Sequence, residues 1–300
     1  MTETRTVPVT GGGLAVREWN PDAAGRAVVA LHGITASHLA WQELASRLPD
    51  VRIIAPDLRG RGRSRALPGP YGLDTHADDV AALITELRLD HPLVVGHSMG
   101  GFVTVQLVRA HPGAVGGVLL IDGGLPLQSA AATPEDATAL LGPAAERLRM
   151  TFESRSAYRD FWQRHPAFAD DWSDSIERYV DYDLIDSPDG LRPSTVPEAM
   201  LEDSLWLARD AGVVDDLNAW PHEIPLLAAP RGLQDEPVPL YASDDLDRWR
   251  SAIPRLRPRI IEDVNHYTIV MGARGADAVA AALRDQLASL TTNAATEVRS

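Results

Sequence analysis

Four short runs, residues 27–31, 51–55, 93–95 and 115–121, are rich in Val, Ile and Leu and show no polar alternation. Runs of that kind are expected of strands buried on both faces of a parallel sheet. Helical spacing of apolar positions fills the gaps between them, over 37–48, 75–89 and 99–109. Strand–helix alternation predicts βαβ units and a doubly wound α/β fold. Ahead of these units, two β-like runs at 6–10 and 14–19 flank Gly11-Gly12-Gly13, which reads as a hairpin turn.

After Ile121 the rhythm breaks. Over 125–222 no parallel-strand pattern recurs. Ala, Glu, Arg and aromatic residues stand instead at helical spacing, as at Leu140, Leu141, Leu148 and Phe152, interrupted by Pro143, Pro166, Pro188, Pro193 and Pro197. The rhythm resumes with strand patterns at 224–229 and 259–264, a terminal helix over 275–290 and a polar tail from Thr291. The predicted organisation is one core in two parts, 1–124 and 223–300, with a helical cap inserted over 125–222.

Composition narrows the function classes. Of 300 residues, 45% are apolar and 23% charged, ordinary globular usage that excludes disorder or coiled coil for the whole chain. With 28 basic residues (every one an arginine) against 42 acidic ones, the net charge is −14, which repels nucleic-acid backbones and anionic lipid. Neither partner is expected. The absence of cysteine excludes disulfides, thiolate metal sites and a cysteine nucleophile. No stretch approaches ~20 uninterrupted apolar residues, and the N-terminal residues hold no apolar run of signal-peptide length. A cytoplasmic protein is expected.

The strongest local signal is Gly96-His97-Ser98-Met99-Gly100, which follows an apolar run and opens a helix. That is the context of a G-x-S-x-G nucleophile elbow. The serine sits on a sharp, strained turn, so its neighbours two residues away on either side must be nearly free of side chain. The helix N-terminus offers N–H groups to a developing oxyanion. Upstream, His32-Gly33-Ile34 ends another strand, where a second oxyanion donor is expected. Ile34 N–H and Met99 N–H are the candidate donors.

With these motifs in place, the chain resembles the α/β-hydrolase-fold enzymes. The resemblance runs from His32-Gly33 and Trp41, through Asp57-Leu58-Arg59-Gly60-Arg61-Gly62-Arg63-Ser64 and the Ser98 elbow, to a C-terminal histidine, about two thirds of the chain. It implies an α/β-hydrolase fold, a Ser–His–acid triad, a cap inserted after the sixth strand, and no cofactor. The 57–64 loop is glycine-rich but lacks a P-loop lysine, and reads as structural. Of nine histidines, His266 stands directly after the 259–264 strand pattern, where the family keeps its base, with Asn265 replacing the usual preceding glycine. His111 lies at the far end of the helix that starts at the serine, His165 falls inside the insertion, and His222 precedes a strand.

Two acids lie between serine and histidine in chain order. Asp235, in Arg231-Gly232-Leu233-Gln234-Asp235, matches the family's strand–Gly-x-x-Asp placement; Asp122 ends the sixth-strand run, where some relatives keep their acid. Asp235 is the expected member. No metal-ligand constellation is visible, and Asp170-Asp171 and Asp244-Asp245 read as solvated surface. Trp162, Trp172, Trp206 and Trp220 read as packing residues of the insertion, with one or two lining an apolar pocket. The expected function is hydrolysis of a small to medium apolar carboxylic ester or lactone through an acyl-enzyme. C–C bond or thioester cleavage by the same triad is the alternative within the fold, and a ligand-binding module the alternative outside enzymology. An aspartate-nucleophile reading is disfavoured because Ser98 occupies that position.

Overall fold

A run without polar alternation can be buried on both faces only if odd and even side chains find separate cores. The computed structural model describes residues 2–127, 142–207 and 212–297, and it contains both cores. Its strands in chain order are β1 (Thr2–Val9), β2 (Gly12–Trp19), β3 (Val28–Leu31), β4 (Ile53–Pro56), β5 (Leu93–His97), β6 (Gly117–Ile121), β7 (Leu184–Ser187), β8 (Gly190–Pro193), β9 (Ile224–Ala228) and β10 (Leu256–Ile260). Eight of them form one sheet in the order β1-β2-β4-β3-β5-β6-β9-β10. β1, β2 and β4 pair antiparallel, and every pairing from β4 across to β10 is parallel.

The α-helices in chain order are α1 (Gln42–Arg47), α2 (Leu73–Glu86), α3 (Met99–Ala110), α4 (Gly142–Arg147), α5 (Arg155–Gln163), α6 (Asp174–Tyr182), α7 (Pro197–Ser204), α8 (Val213–Ala219), α9 (Ser243–Ala252), α10 (Thr268–Met271) and α11 (Ala273–Glu297). In β3, Val29 and Leu31 join the core under α2 and α3, whereas Val28 and Ala30 join the core under α1 and α11. β6 divides the same way, Val118 and Leu120 against Leu119 and Ile121. Double-sided burial explains the missing alternation. No helix among the described residues is long and apolar enough to cross a membrane.

The departures from expectation have local causes. The last strand is β10, Leu256–Ile260, rather than 259–264. It is an edge strand paired only with β9, and its alternating Leu256-Arg257-Pro258-Arg259-Ile260 lacks the apolar run of a central strand. Proline is tolerated at such an edge. The first helix begins as a 3₁₀ turn, His38–Trp41, before α1. α11 runs on through Thr291 to Glu297. Asp244-Asp245 stand in the first turn of helix α9.

The segment between β6 and β9 is not wholly helical. β7 and β8 form an antiparallel hairpin around Pro188-Asp189, with Ser187 paired to Gly190. Asp-Gly after proline is a turn signal that the proline count alone conceals. Leu140 and Leu141 lie outside the described residues.

The 57–64 loop is a buried polar framework, in keeping with a structural role. Asp57 Oδ1 accepts from His38 N–H at 2.9 Å, and Oδ2 accepts from Arg63 N–H at 2.8 Å and Tyr182 Oη at 2.6 Å. Burial pushes the Asp57 carboxyl up, but its interactions with His38 and His32 outweigh that and hold it at about 2. His32 Nε2 accepts from Leu58 N–H at 2.9 Å, and Nδ1 lies 2.8 Å from its acceptor, Gly33 O. The ring is therefore held neutral, and burial lowers its pKa to about 4.

The sign of the pH effect follows. An unfolded histidine takes up a proton below about pH 6.5, which folded His32 refuses until about pH 4, so stability falls as pH drops through that window. The His32 share is about 2 kcal/mol between pH 7 and 5. The Asp57 contribution survives to lower pH and is lost as pH falls from the ordinary carboxylate value of 3.8 through about 2. Urea unfolding of His32→Gln, which cannot titrate there, should show a smaller drop between pH 7 and 5 than wild type. An equal drop would assign the effect to other groups.

Candidate active site

From β3 the chain moves to one side to form β4 and then crosses back to form β5 on the other, so the loops leaving β3 and β5 diverge. Such a switch point opens a crevice at the C-terminal ends of the strands. Gly33 follows β3 there, and Ser98 follows β5. A Cβ built on Gly33 would lie 3.6 Å from Ser98 Oγ, so the two loops are nearly in contact.

Ser98 adopts φ 53° and ψ −125°, a region sparsely populated by residues other than glycine, at a cost of about 1–3 kcal/mol. Its own N–H donates to Ile121 O at 2.9 Å, and its carbonyl accepts from Gly101 N–H at 2.8 Å. The turn also requires both flanking glycines. A Cβ on Gly100 would collide with the Leu31 carbonyl of β3, and one on Gly96 with the Gly100 carbonyl. α3 then starts at Met99, whose N–H belongs to the first turn and has no intrahelical acceptor.

His266 is buried directly above the end of β6. Its Nδ1 lies 2.7 Å from Asp122 Oδ2, and Asp122 Oδ1 accepts from Ala229 N–H at 3.2 Å. Asp122 is fully buried. A carboxylate on Nδ1 makes that nitrogen the protonated one and leaves Nε2 as the acceptor. His97 Nε2 sits 2.8 Å from the His266 carbonyl, with the two rings 4.8 Å apart, so the turn that carries Ser98 braces the histidine loop. Burial, followed by the proximity of His266, pushes His97 well below the ordinary histidine range. It stays neutral.

The expectation that Asp235 partners His266 is corrected by this geometry. Asp235 Oδ1 accepts from Asn265 Nδ2 at 2.9 Å and pairs with Arg231 Nε at 2.7 Å, and the side chain is 35% exposed. Asn265 accounts for the near miss. It stands one residue before His266 and occupies Asp235, while the histidine side chain turns to the end of β6. Asn265 is itself buried. Its Nδ2 also donates to Ala167 O at 2.9 Å, and its Oδ1 accepts from Tyr267 N–H and Thr268 N–H at 3.0 and 2.9 Å. It caps α10 and ties the histidine loop to the inserted segment. The only sequence signal for this was the missing glycine at position 265.

Ser98 and His266 line one cavity together with Gly33, Ile34 and Thr35 of the β3 loop. The rest of the wall is mainly apolar, including Ala40, Phe102, Leu127, Leu240, Val270 and Met271. No tryptophan lines this cavity among the described residues, contrary to expectation. Trp162 faces a neighbouring pocket with Arg147 and His165, and Trp220 is buried in the core that α2 and α3 cover. His165 accepts from Ala167 N–H and lies 3.0 Å from Gln234 Nε2; burial and Arg147 lower its pKa to about 4. His111 pairs with Asp78 at the surface, far from Ser98. Among the described residues no group of three or more His, Asp or Glu side chains is placed to hold a metal.

Known proteins fit this arrangement. A family model of the α/β hydrolase fold matches residues 26–188. A lipase of Mycobacterium tuberculosis, LipV, is 38% identical over 109 residues, 36% of this chain and 41% of the lipase. The match thus spans about two fifths of that relative's length. Among solved structures, E-2-(acetamidomethylene)succinate hydrolase superposes with a TM-score of 0.79 at 24% identity, covering 95% of this chain and 98% of its own. A thioesterase domain from the curacin biosynthetic pathway superposes with a TM-score of 0.74 at 20% identity, covering 94% and 98%. At those identities the likeness speaks to the fold. With the family match covering more than half of its residues, this chain belongs to the α/β-hydrolase-fold family.

Proposed function

We propose that the protein is a serine hydrolase that cleaves a small to medium apolar carboxylic ester or lactone through an acyl-enzyme. The observation that carries this reading is the His266–Asp122 contact of 2.7 Å beside a strained Ser98, all opening on a mainly apolar cavity. Ser98 Oγ attacks the carbonyl carbon while His266 Nε2 takes its proton. Asp122 holds the tautomer and stabilises the imidazolium that forms. The N–H groups of Ile34 and Met99 receive the negative oxygen of the tetrahedral intermediate. His266 then gives its proton to the leaving alkoxide, and water repeats the sequence to release the acid.

The inserted segment between β6 and β9 acts as a cap in this reading. It supplies cavity walls such as Leu127, Ala144 and Leu207, which keep bulk water from the acyl group. No cofactor takes part. The named activity of the mycobacterial lipase is of the same class, and it supports ester hydrolysis over a pure binding role.

Assay of 4-nitrophenyl esters of increasing acyl length, with phenyl thioesters and lactones beside them, tests the reading. Ser98→Ala should lower kcat by about 10⁶-fold with the fold intact. Turnover within tenfold of wild type, with contamination excluded, would overturn the mechanism. Asp122→Asn should lower kcat by about 10⁴-fold, because the amide stabilises the wrong tautomer. Asp235→Asn should cost tenfold or less, and the reverse ranking would move the acid's role to Asp235.

A further inference from the structure

Arg61 is completely buried, an unusual place for a guanidinium, and its partners are specific. Nε donates to Ile34 O at 2.9 Å, Nη1 donates to Arg59 O at 2.9 Å, and Nη2 lies 3.8 Å from Met99 Sδ. Nη1 also forms an ion pair with Asp203 Oδ2. Asp203 belongs to α7, inside the inserted segment, and is equally buried. Its carboxylate further accepts from Gly72 N–H at 2.6 Å and lies 3.0 Å from His76 Nε2. One side chain thus touches the two residues that carry the candidate oxyanion donors and, at its other end, an anchor of the insertion.

From these contacts we infer that Arg61 is a positioning residue for the oxyanion hole, and that its pair with Asp203 makes the hole's geometry depend on the seating of the insertion. This inference rests on the serine-hydrolase reading. The physical reason is the fork of the guanidinium. Holding the Ile34 carbonyl fixes the Ile34–Thr35 peptide plane, and with it the backbone that carries the candidate donor, Ile34 N–H. A second guanidinium supports the next carbonyl. Arg147, paired with Asp183 of the insertion at 2.6 Å, reaches Thr35 O at 3.5 Å. Lysine at position 61 could reach Ile34 O or Asp203, but has no planar fork to hold both. Seating is reinforced by Val196 N–H, which donates to Gly60 O at 2.8 Å immediately before α7. Burial raises the Asp203 carboxyl, but Arg61 and then His76 outweigh it, so the carboxylate is held well below its usual range and the pair stays charged.

The test separates positioning from stability. Arg61→Met strands the Asp203 carboxylate and should lower the melting temperature, whereas Arg61→Met with Asp203→Asn removes both charges and should recover most of that loss. Arg61→Lys gives a second variant that keeps the charge. In the double variant and in Arg61→Lys, kcat should fall by about 10²-fold with KM within threefold, the effect of a misplaced oxyanion donor. An aryl trifluoromethyl ketone, which adds Ser98 Oγ and places an oxyanion in the hole while His266 takes the proton, should bind about 10²-fold more weakly. The matching trifluoromethyl alcohol, which forms no oxyanion, should bind as it does to wild type.

A double variant with kcat within threefold of wild type would overturn the inference, as would equal weakening of ketone and alcohol. If wild type itself neither turns over esters nor reacts at Ser98 with a fluorophosphonate, the serine-hydrolase reading fails instead. The two failures are thus distinguishable.

Discussion

Where β3 meets the turn between β5 and α3, the backbones approach so closely that Gly100 faces the Leu31 carbonyl with no room for a methyl group. That approach sets the position of Ser98, because the turn can fold against β3 only with glycine on both sides and the serine at positive φ. It also places the start of α3 beside the β3 loop. The strain of about 1–3 kcal/mol at Ser98 is tolerated because the surrounding sheet, buried on both faces, over-determines the turn.

Buried charge is handled around this crevice by pairing each ion with a partner from another element. Arg59 is matched by Asp79, Arg61 by Asp203, Arg147 by Asp183, and His266 meets Asp122. One of these pairs, Arg61–Asp203, joins a core loop to the insertion; Arg147 reaches Thr35 O from within the insertion, and Asp57 reaches the insertion through Tyr182. A chain of net charge −14 has an excess of carboxylates, and three of its arginines, Arg59, Arg61 and Arg147, are buried where a missing cation would leave a buried anion unpaired. These pairs fix geometry more than they add stability, since a buried ion pair replaced by apolar groups often costs little.

The central strands and the elbow are legible in the sequence because each rests on a local rule. Double-sided burial writes continuous apolar runs, and the strained turn demands glycine at 96 and 100. The last strand is not legible in the same way. As an edge it is fully buried only at Leu256 and in part at Pro258 and Ile260, so arginine fills the exposed positions between them. The hairpin of β7 and β8 is too short to write a period, and only its turn residues betray it. The carboxylate that partners His266 is the deepest case. Asp122 and Asp235 both follow strands and both have positive φ, and the distinction lies in which of them His266 faces across β6 and β9. That is a tertiary fact, set partly by Asn265 occupying Asp235, and no local rule encodes it. Arg61 and Asp203 are 142 residues apart (203 − 61), so their pairing is equally invisible to spacing.

The account turns on the His266–Asp122 contact, and proton NMR of ¹⁵N-histidine-labelled protein reports it directly. A far-downfield proton attached to Nδ1 of His266 should be present in wild type and in Asp235→Asn, and should be lost or moved strongly upfield in Asp122→Asn. A resonance that survives Asp122→Asn and disappears in Asp235→Asn would contradict the arrangement described for this site.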